Sequence, residues 1–256
     1  MTSSSKLSAT SGYESRDAAR AVRLSSPRLV ADAVRSGRCT SDRAFDRFLS
    51  PEFQAVSEQY WTPLAVATRA ARWLGELGVR RVFDVGSGAG KFCVAAALAC
   101  DAHFVGVEQR MRLVAEAREL ARAFGVSDRV RFVSGRFDRL SPSADAYYFY
   151  NSFGENLFDA ENRLDEDVEL NAGRYRDDVM AAERMLREAP TGTYLLTYNG
   201  FGGMVPDSYS EVRVDRELPC VLRMWRKSAG SPRRPFTSAS GAGSHRELSN
   251  PMPASE

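Results

Sequence analysis

Arg81-Val82-Phe83-Asp84-Val85-Gly86-Ser87-Gly88-Ala89-Gly90-Lys91-Phe92 is the stretch that decides the fold. Apolar residues lead into an aspartate, a glycine-alternating turn follows, and the small-residue run Cys93 to Ala99 comes next. The pattern predicts a strand, a tight turn and a helix beginning near Ala89. Glycines at 86, 88 and 90 free the backbone for positive φ and for close approach to a ligand. The helix then turns its unpaired N–H groups and positive dipole end toward whatever lies over the turn, which favours a negatively charged or carboxylate-bearing occupant.

The glycine spacing is G-x-G-x-G, not the G-x-G-x-x-G of dinucleotide binders. Asp84 closes the first strand, and Glu108 ends the next predicted one, His103-Phe104-Val105-Gly106-Val107. An acid at that tip is placed to accept hydrogen bonds from both ribose hydroxyls of an adenosine.

With these residues in hand, the chain resembles the class I S-adenosylmethionine-dependent methyltransferases over roughly Trp61 to Lys227. Residues 84–90 look like the family's first motif and Glu108 like its ribose-binding acid. The resemblance implies an α/β fold: a seven-stranded, doubly wound, mostly parallel sheet with a C-terminal antiparallel hairpin. It implies S-adenosyl-L-methionine as cofactor, with Asp84, Gly86, Ser87, Gly88 and Gly90 seating the methionine portion and Glu108, with Gln109 beside it, at the ribose. The competing readings are a nucleotide-binding Rossmann dehydrogenase and a non-enzymatic relic of the fold.

A chain of 256 residues allows one sizeable core with appendages. Net charge is +2, so composition does not announce a nucleic-acid binder, and nucleic acid is not the expected partner. No apolar run is long enough to span a bilayer, and the start lacks the apolar segment of a secretory signal. Cys39, Cys93, Cys100 and Cys220 are scattered, with buried free thiols expected at 93 and 100. A reducing, cytoplasmic location is expected, and two histidines leave no histidine-rich metal site.

The domain plan is a disordered leader at 1–17, a helical N-terminal cap at 18–60, the methyltransferase domain at 61–227 and a disordered tail at 228–256. Ser26-Pro27, Ser41-Asp42 and Ser50-Pro51 each read as a helix start in the cap. Phe45, Phe48 and Leu49 share a face that must pack on something. Thr62-Pro63 starts a fourth helix, ending near Leu77. That start resembles, more weakly, methyltransferases related to the non-SET histone-lysine enzymes, where it lies beside the cofactor. On this resemblance Trp61 and Thr62 join the cofactor set. Tyr60 and Trp61 either wall the acceptor site or simply staple the helix to the core.

After the third strand, Val130 to Val133, comes Gly135-Arg136-Phe137-Asp138. The family usually shows Gly-Asp there, the aspartate bonding the adenine amino group. Arg136 replaces it, so the adenine contact passes to a backbone group, to Phe137 by packing, or to Asp138. The fourth strand, Ala146 to Tyr150, runs into Asn151-Ser152-Phe153, which resembles the Asn-x-aromatic motif of amino-methylating members. An amide oxygen can hold an amine through its N–H donors while an aromatic ring covers the developing cation, so Asn151, Phe153 and Tyr60 form the expected catalytic set. Asn151 is expected to touch the cofactor as well. Its plainer reading is a cap after a buried strand. The acidic run Glu155, Asp159, Glu161, Asp165, Glu166, Asp167 and Glu169 is expected as a rim for a cationic acceptor, or as solvated surface.

The expected activity is methyl transfer to an amine on a protein or small molecule. Small-molecule O-methylation and non-catalytic cofactor binding are the alternatives.

Overall fold

The computed structural model describes residues 26–38, 40–140 and 143–229. The expected disordered leader, Cys39 and the tail beyond 229 lie outside the described residues.

Four short helices form the cap: α1 (Pro27–Arg35), α2 (Asp42–Asp46), α3 (Pro51–Ala55) and α4 (Ser57–Tyr60). The side chains of Ser26 and Ser41 cap their helices by accepting from the N–H groups of Leu29 and Ala44. Ser50 makes no such bond; Pro51 at the first helical position fixes that start instead. The face of Phe45 and Phe48 finds its partner in Phe124, stacked on Phe45 at 4.4 Å and edge-on to Phe48 at 5.3 Å.

The domain continues with α5 (Leu64–Glu76), β1 (Arg81–Val85), α6 (Lys91–Ala99), β2 (His103–Glu108), α7 (Met111–Ala123), β3 (Val130–Ser134), β4 (Ala146–Tyr150), α8 (Ala172–Glu188), β5 (Tyr194–Tyr198), β6 (Tyr209–Asp215) and β7 (Leu222–Lys227). Two helix starts differ from expectation. Pro63 is the residue before α5, whose first N–H is accepted by the Asp42 carboxylate of the cap at 2.7 Å. α6 begins at Lys91, because Gly90 holds φ +79 and acts as its N-cap.

The strand order is β3-β2-β1-β4-β5-β7-β6, with β7 antiparallel to both neighbours. Period-two alternation explains the two cores. Val82, Ala146, Tyr148 and Leu196 face α5, α6 and α7, while Phe83, Val85, Tyr147, Phe149 and Leu195 face α8. Cys93 is buried as expected, whereas Cys100 is only half-buried. Strand order reverses direction between β1 and β4, the place where such sheets leave a crevice at their carboxyl ends.

Candidate cofactor and acceptor site

A cleft of about 960 Å³, counting its open mouth, lies over the carboxyl ends of β1, β2 and β4. A smaller cavity of about 300 Å³, again counting its open mouth, adjoins it beneath Tyr60, Trp61, Gly86 and Tyr150. Glu108 leaves β2 into the main cleft and is buried. Its carboxylate accepts from the Gly88 N–H at 3.2 Å and the Arg110 N–H at 2.9 Å, so the acid and the glycine turn are fixed to each other. Burial pushes its pKa up against the pull of those N–H groups and of the Arg110 charge.

Asp84 lies at the tip of β1 on the smaller cavity, with Thr62, Ser87 and Lys91. It is fully enclosed and accepts from the Cys93 thiol at 3.2 Å. Burial, which the thiol's hydrogen bond only partly offsets, raises its pKa to about 7. The sign follows from linkage: the folded chain holds this proton more tightly than the unfolded one, so stability falls as pH climbs from the ordinary aspartate range to about 7. Asp84→Asn is expected to flatten that part of the stability profile, measured as melting temperature between pH 4 and 8.

Trp61 is 7% exposed, donates from Nε1 to the Phe53 carbonyl, and lays its ring on the turn. A Cβ added at Gly88 would come within 2.6 Å of that ring, so glycine there lets the cap clamp the turn. Trp61 is thus a staple that also lines the cleft, while Tyr60 borders both cavities and donates its hydroxyl to the Asn162 carbonyl. Thr62 shares a 3.0 Å hydrogen bond with the Tyr148 hydroxyl. Gly90 departs from the cofactor set: it lines neither cavity, and an added Cβ would strike Phe132 and Ala117, so it serves helix–sheet packing.

Asn151 ends β4 with φ +44, exposed, on the cleft. Its own N–H donates to the Gly200 carbonyl, and its carbonyl accepts from Gly154. Phe153 is 5% exposed and stacks with Phe137 at 5.4 Å, so it belongs to the core while presenting an edge to the cleft. Gln109 and Phe137 line the cleft as expected, but Asp138 does not. The Asp138 carboxylate is bound by Arg136 through two bonds of 2.9 and 3.0 Å, which lower its pKa.

The acidic run is not uniformly a rim. Glu155 and Asp165 turn inward onto the buried Arg110, at 2.9 and 2.7 Å, and Asp165 also takes Arg112. Desolvation makes such pairing necessary for an arginine that is 5% exposed. Asp159, Glu161, Glu166, Asp167 and Glu169 stay exposed. Sequence reading missed Arg110, Lys91 and Asp178. The only hint for Arg110 was a cation two residues past the strand-tip acid with an acidic run far downstream.

The residues suit an S-adenosyl group. Ser152 and Asn156 line the cleft and Ser87 the smaller cavity, and the Ser152 Oγ, Asn156 Oδ1 and Ser87 Oγ atoms are buried without a hydrogen-bond partner. A ligand with several donors and acceptors would satisfy them.

A parallel sheet reversing at β1/β4, with an acid at the tip of β2 facing a glycine turn, defines a class I methyltransferase architecture. Residues 79–154 match the family model described as a methyltransferase domain, and this match supports an S-adenosylmethionine-dependent methyltransferase. Cofactor-bound Rv0187 from MTB aligns at a TM-score of 0.52 and 15% identity, over 80% of this chain and 98% of that one. A putative O-methyltransferase from Klebsiella pneumoniae aligns at 0.51 and 14%, over 78% and 96%. An RNA methyltransferase from Salinibacter ruber, in complex with S-adenosyl-L-homocysteine, aligns at 0.49 and 22%, over 67% and 96%. No curated protein matches the sequence. Among the described residues no helix is long and apolar enough to cross a membrane.

Proposed function

We propose that the chain methylates an amine nitrogen presented at Asn151. The observation that carries this reading is the state of the carboxylates lining the main cleft. Glu108 is held by backbone N–H groups, Glu155 by Arg110, and Asp178 by Arg136. Among the described residues, no histidine or lysine lines this cleft. An oxygen acceptor would want a base here, whereas an amine that arrives neutral needs positioning above all.

S-adenosylmethionine supplies an electrophilic methyl group on its sulfonium. In this reading Glu108 holds the ribose, with Gln109 and Phe137 beside the adenosine. Asp84, Gly86, Ser87 and Gly88, with Thr62 behind them, form the methionine end. Asn151 accepts from the amine through its side-chain oxygen, and Tyr60 and the edge of Phe153 bound the acceptor space. Asn151 takes its left-handed φ at little cost, because asparagine adopts that backbone more readily than most residues. The five exposed acids between 159 and 169 favour an acceptor molecule that carries positive charge away from the nitrogen being methylated.

The test incubates the chain with methyl-labelled S-adenosylmethionine and cell lysate, before and after acetylation of free amines in the lysate. Label transfer lost on acetylation supports the amine. Transfer that persists points to oxygen or to a nitrogen that acetylation spares, either of which overturns the free amine, and no transfer at all points to a cofactor-binding scaffold. Asn151→Gly tolerates the same backbone angle, so it isolates the side chain. We expect kcat on the labelled acceptor to fall about a hundredfold, the scale of a misplaced reactant. S-adenosylhomocysteine affinity, by calorimetry, should change little.

A further inference from the structure

By the family resemblance, Arg136 stands where an acceptor for the adenine amino group is expected, and a guanidinium has donors only. Asp138, two residues on, is taken up by Arg136 and lies off the cleft. The acceptor that does reach this quarter comes from a different element. Asp178 sits on α8, one turn beyond Arg174, is 6% exposed, and lines the cleft with Gly135, Arg136 and Phe137. Arg136 Nη2 donates to its Oδ1 at 2.9 Å, and Arg174 Nε lies 3.5 Å from its Oδ2. Each carboxylate oxygen has two lone pairs, so both remain able to accept. The other carboxylates on the cleft are engaged elsewhere: Glu108 faces the glycine turn and Glu155 faces Arg110.

We propose that Asp178 reads the adenine 6-amino group, supplied from α8 and aimed by Arg136 and Arg174. Arg136 is then a positioning residue, which fixes the aspartate's orientation and pulls against the burial that raises its pKa. This rests on the cofactor reading above and adds the atom that selects adenine over other purines.

The experiment compares S-adenosylhomocysteine with its 6-deamino analogue, which carries hydrogen in place of the amine, by calorimetry on the full chain. The wild-type chain should prefer the amine by about ten- to a hundredfold, the range for a hydrogen bond to a charged acceptor. Asp178→Ala should bring the two affinities together, and Arg136→Met should shrink the ratio. Asp178→Asn, which keeps the shape and a weaker acceptor, should give an intermediate ratio and stands in if the alanine variant does not fold. Equal binding by the wild-type chain, or an undiminished preference in the folded Asp178 variants, would overturn the assignment. If the wild-type chain bound neither compound, the cofactor reading itself would fall.

Discussion

Glu108→Ala is expected to lose S-adenosylhomocysteine binding by a hundredfold or more while the chain stays folded. The carboxylate is enclosed at the tip of β2, and the cleft lies directly beside it. Two ribose hydroxyls donating to one carboxylate would each contribute about 1.5–3 kcal/mol, the range for a hydrogen bond to a charged group. Removing it also strips the Gly88 N–H of its partner, which loosens the turn on the methionine side. Glu108→Gln keeps one acceptor oxygen and should fall between the two. Because burial raises the Glu108 pKa, affinity should weaken as pH drops through that raised value and the carboxylate takes up its proton. Calorimetry across pH, with circular dichroism as the folding control, reads all of this. Full affinity in a folded Glu108→Ala chain would remove the adenosine from this crevice.

Lys91→Met carries the second large effect, this time on stability. Lys91 is 2% exposed at the first position of α6. Its ammonium meets Asp42 at 2.5 Å and Asp46 at 2.8 Å, and donates to Ser57 at 3.3 Å. One buried charge thereby ties the cap to the helix that follows the glycine turn. Removing the cation strands Asp46, whose pKa burial already raises against the pull of Lys91. Breaking a buried pair from one side costs about 3–5 kcal/mol. In a chain of this size that is roughly 6–20 °C of melting temperature. The double variant Lys91→Met, Asp46→Leu should recover much of the loss, since the one carboxylate it leaves without its cation, Asp42, is partly exposed to water. A single variant that melts like the parent would show that the cap is held by its aromatic contacts alone.

The local signals in the chain were strong where one period or one residue type sufficed. Near-continuous apolar runs in 81–85, 146–150 and 194–198 mark strands buried on both faces, and the strands fall there. Ser-Pro and Ser-Asp pairs placed the cap helices, because capping is a matter of adjacent atoms. The Asp-x-Gly-x-Gly-x-Gly turn and the acid after the second strand located the crevice, since both act through backbone next to them. Gly90 shows the limit of the same signal: a glycine in the motif can serve packing against Phe132 instead of a ligand.

Fold class, strand-turn-helix order and the position of the glycine turn beside the cleft were therefore determined by the sequence itself, through nearest-neighbour backbone preferences and hydrophobic period. Partners distant along the chain were decided only in three dimensions: Lys91 with Asp46, Arg110 with Asp165, Arg136 with Asp178. Sequence spacing carries no record of which charges desolvation will force together. That choice depends on which side chains the folded sheet and its helices bury side by side.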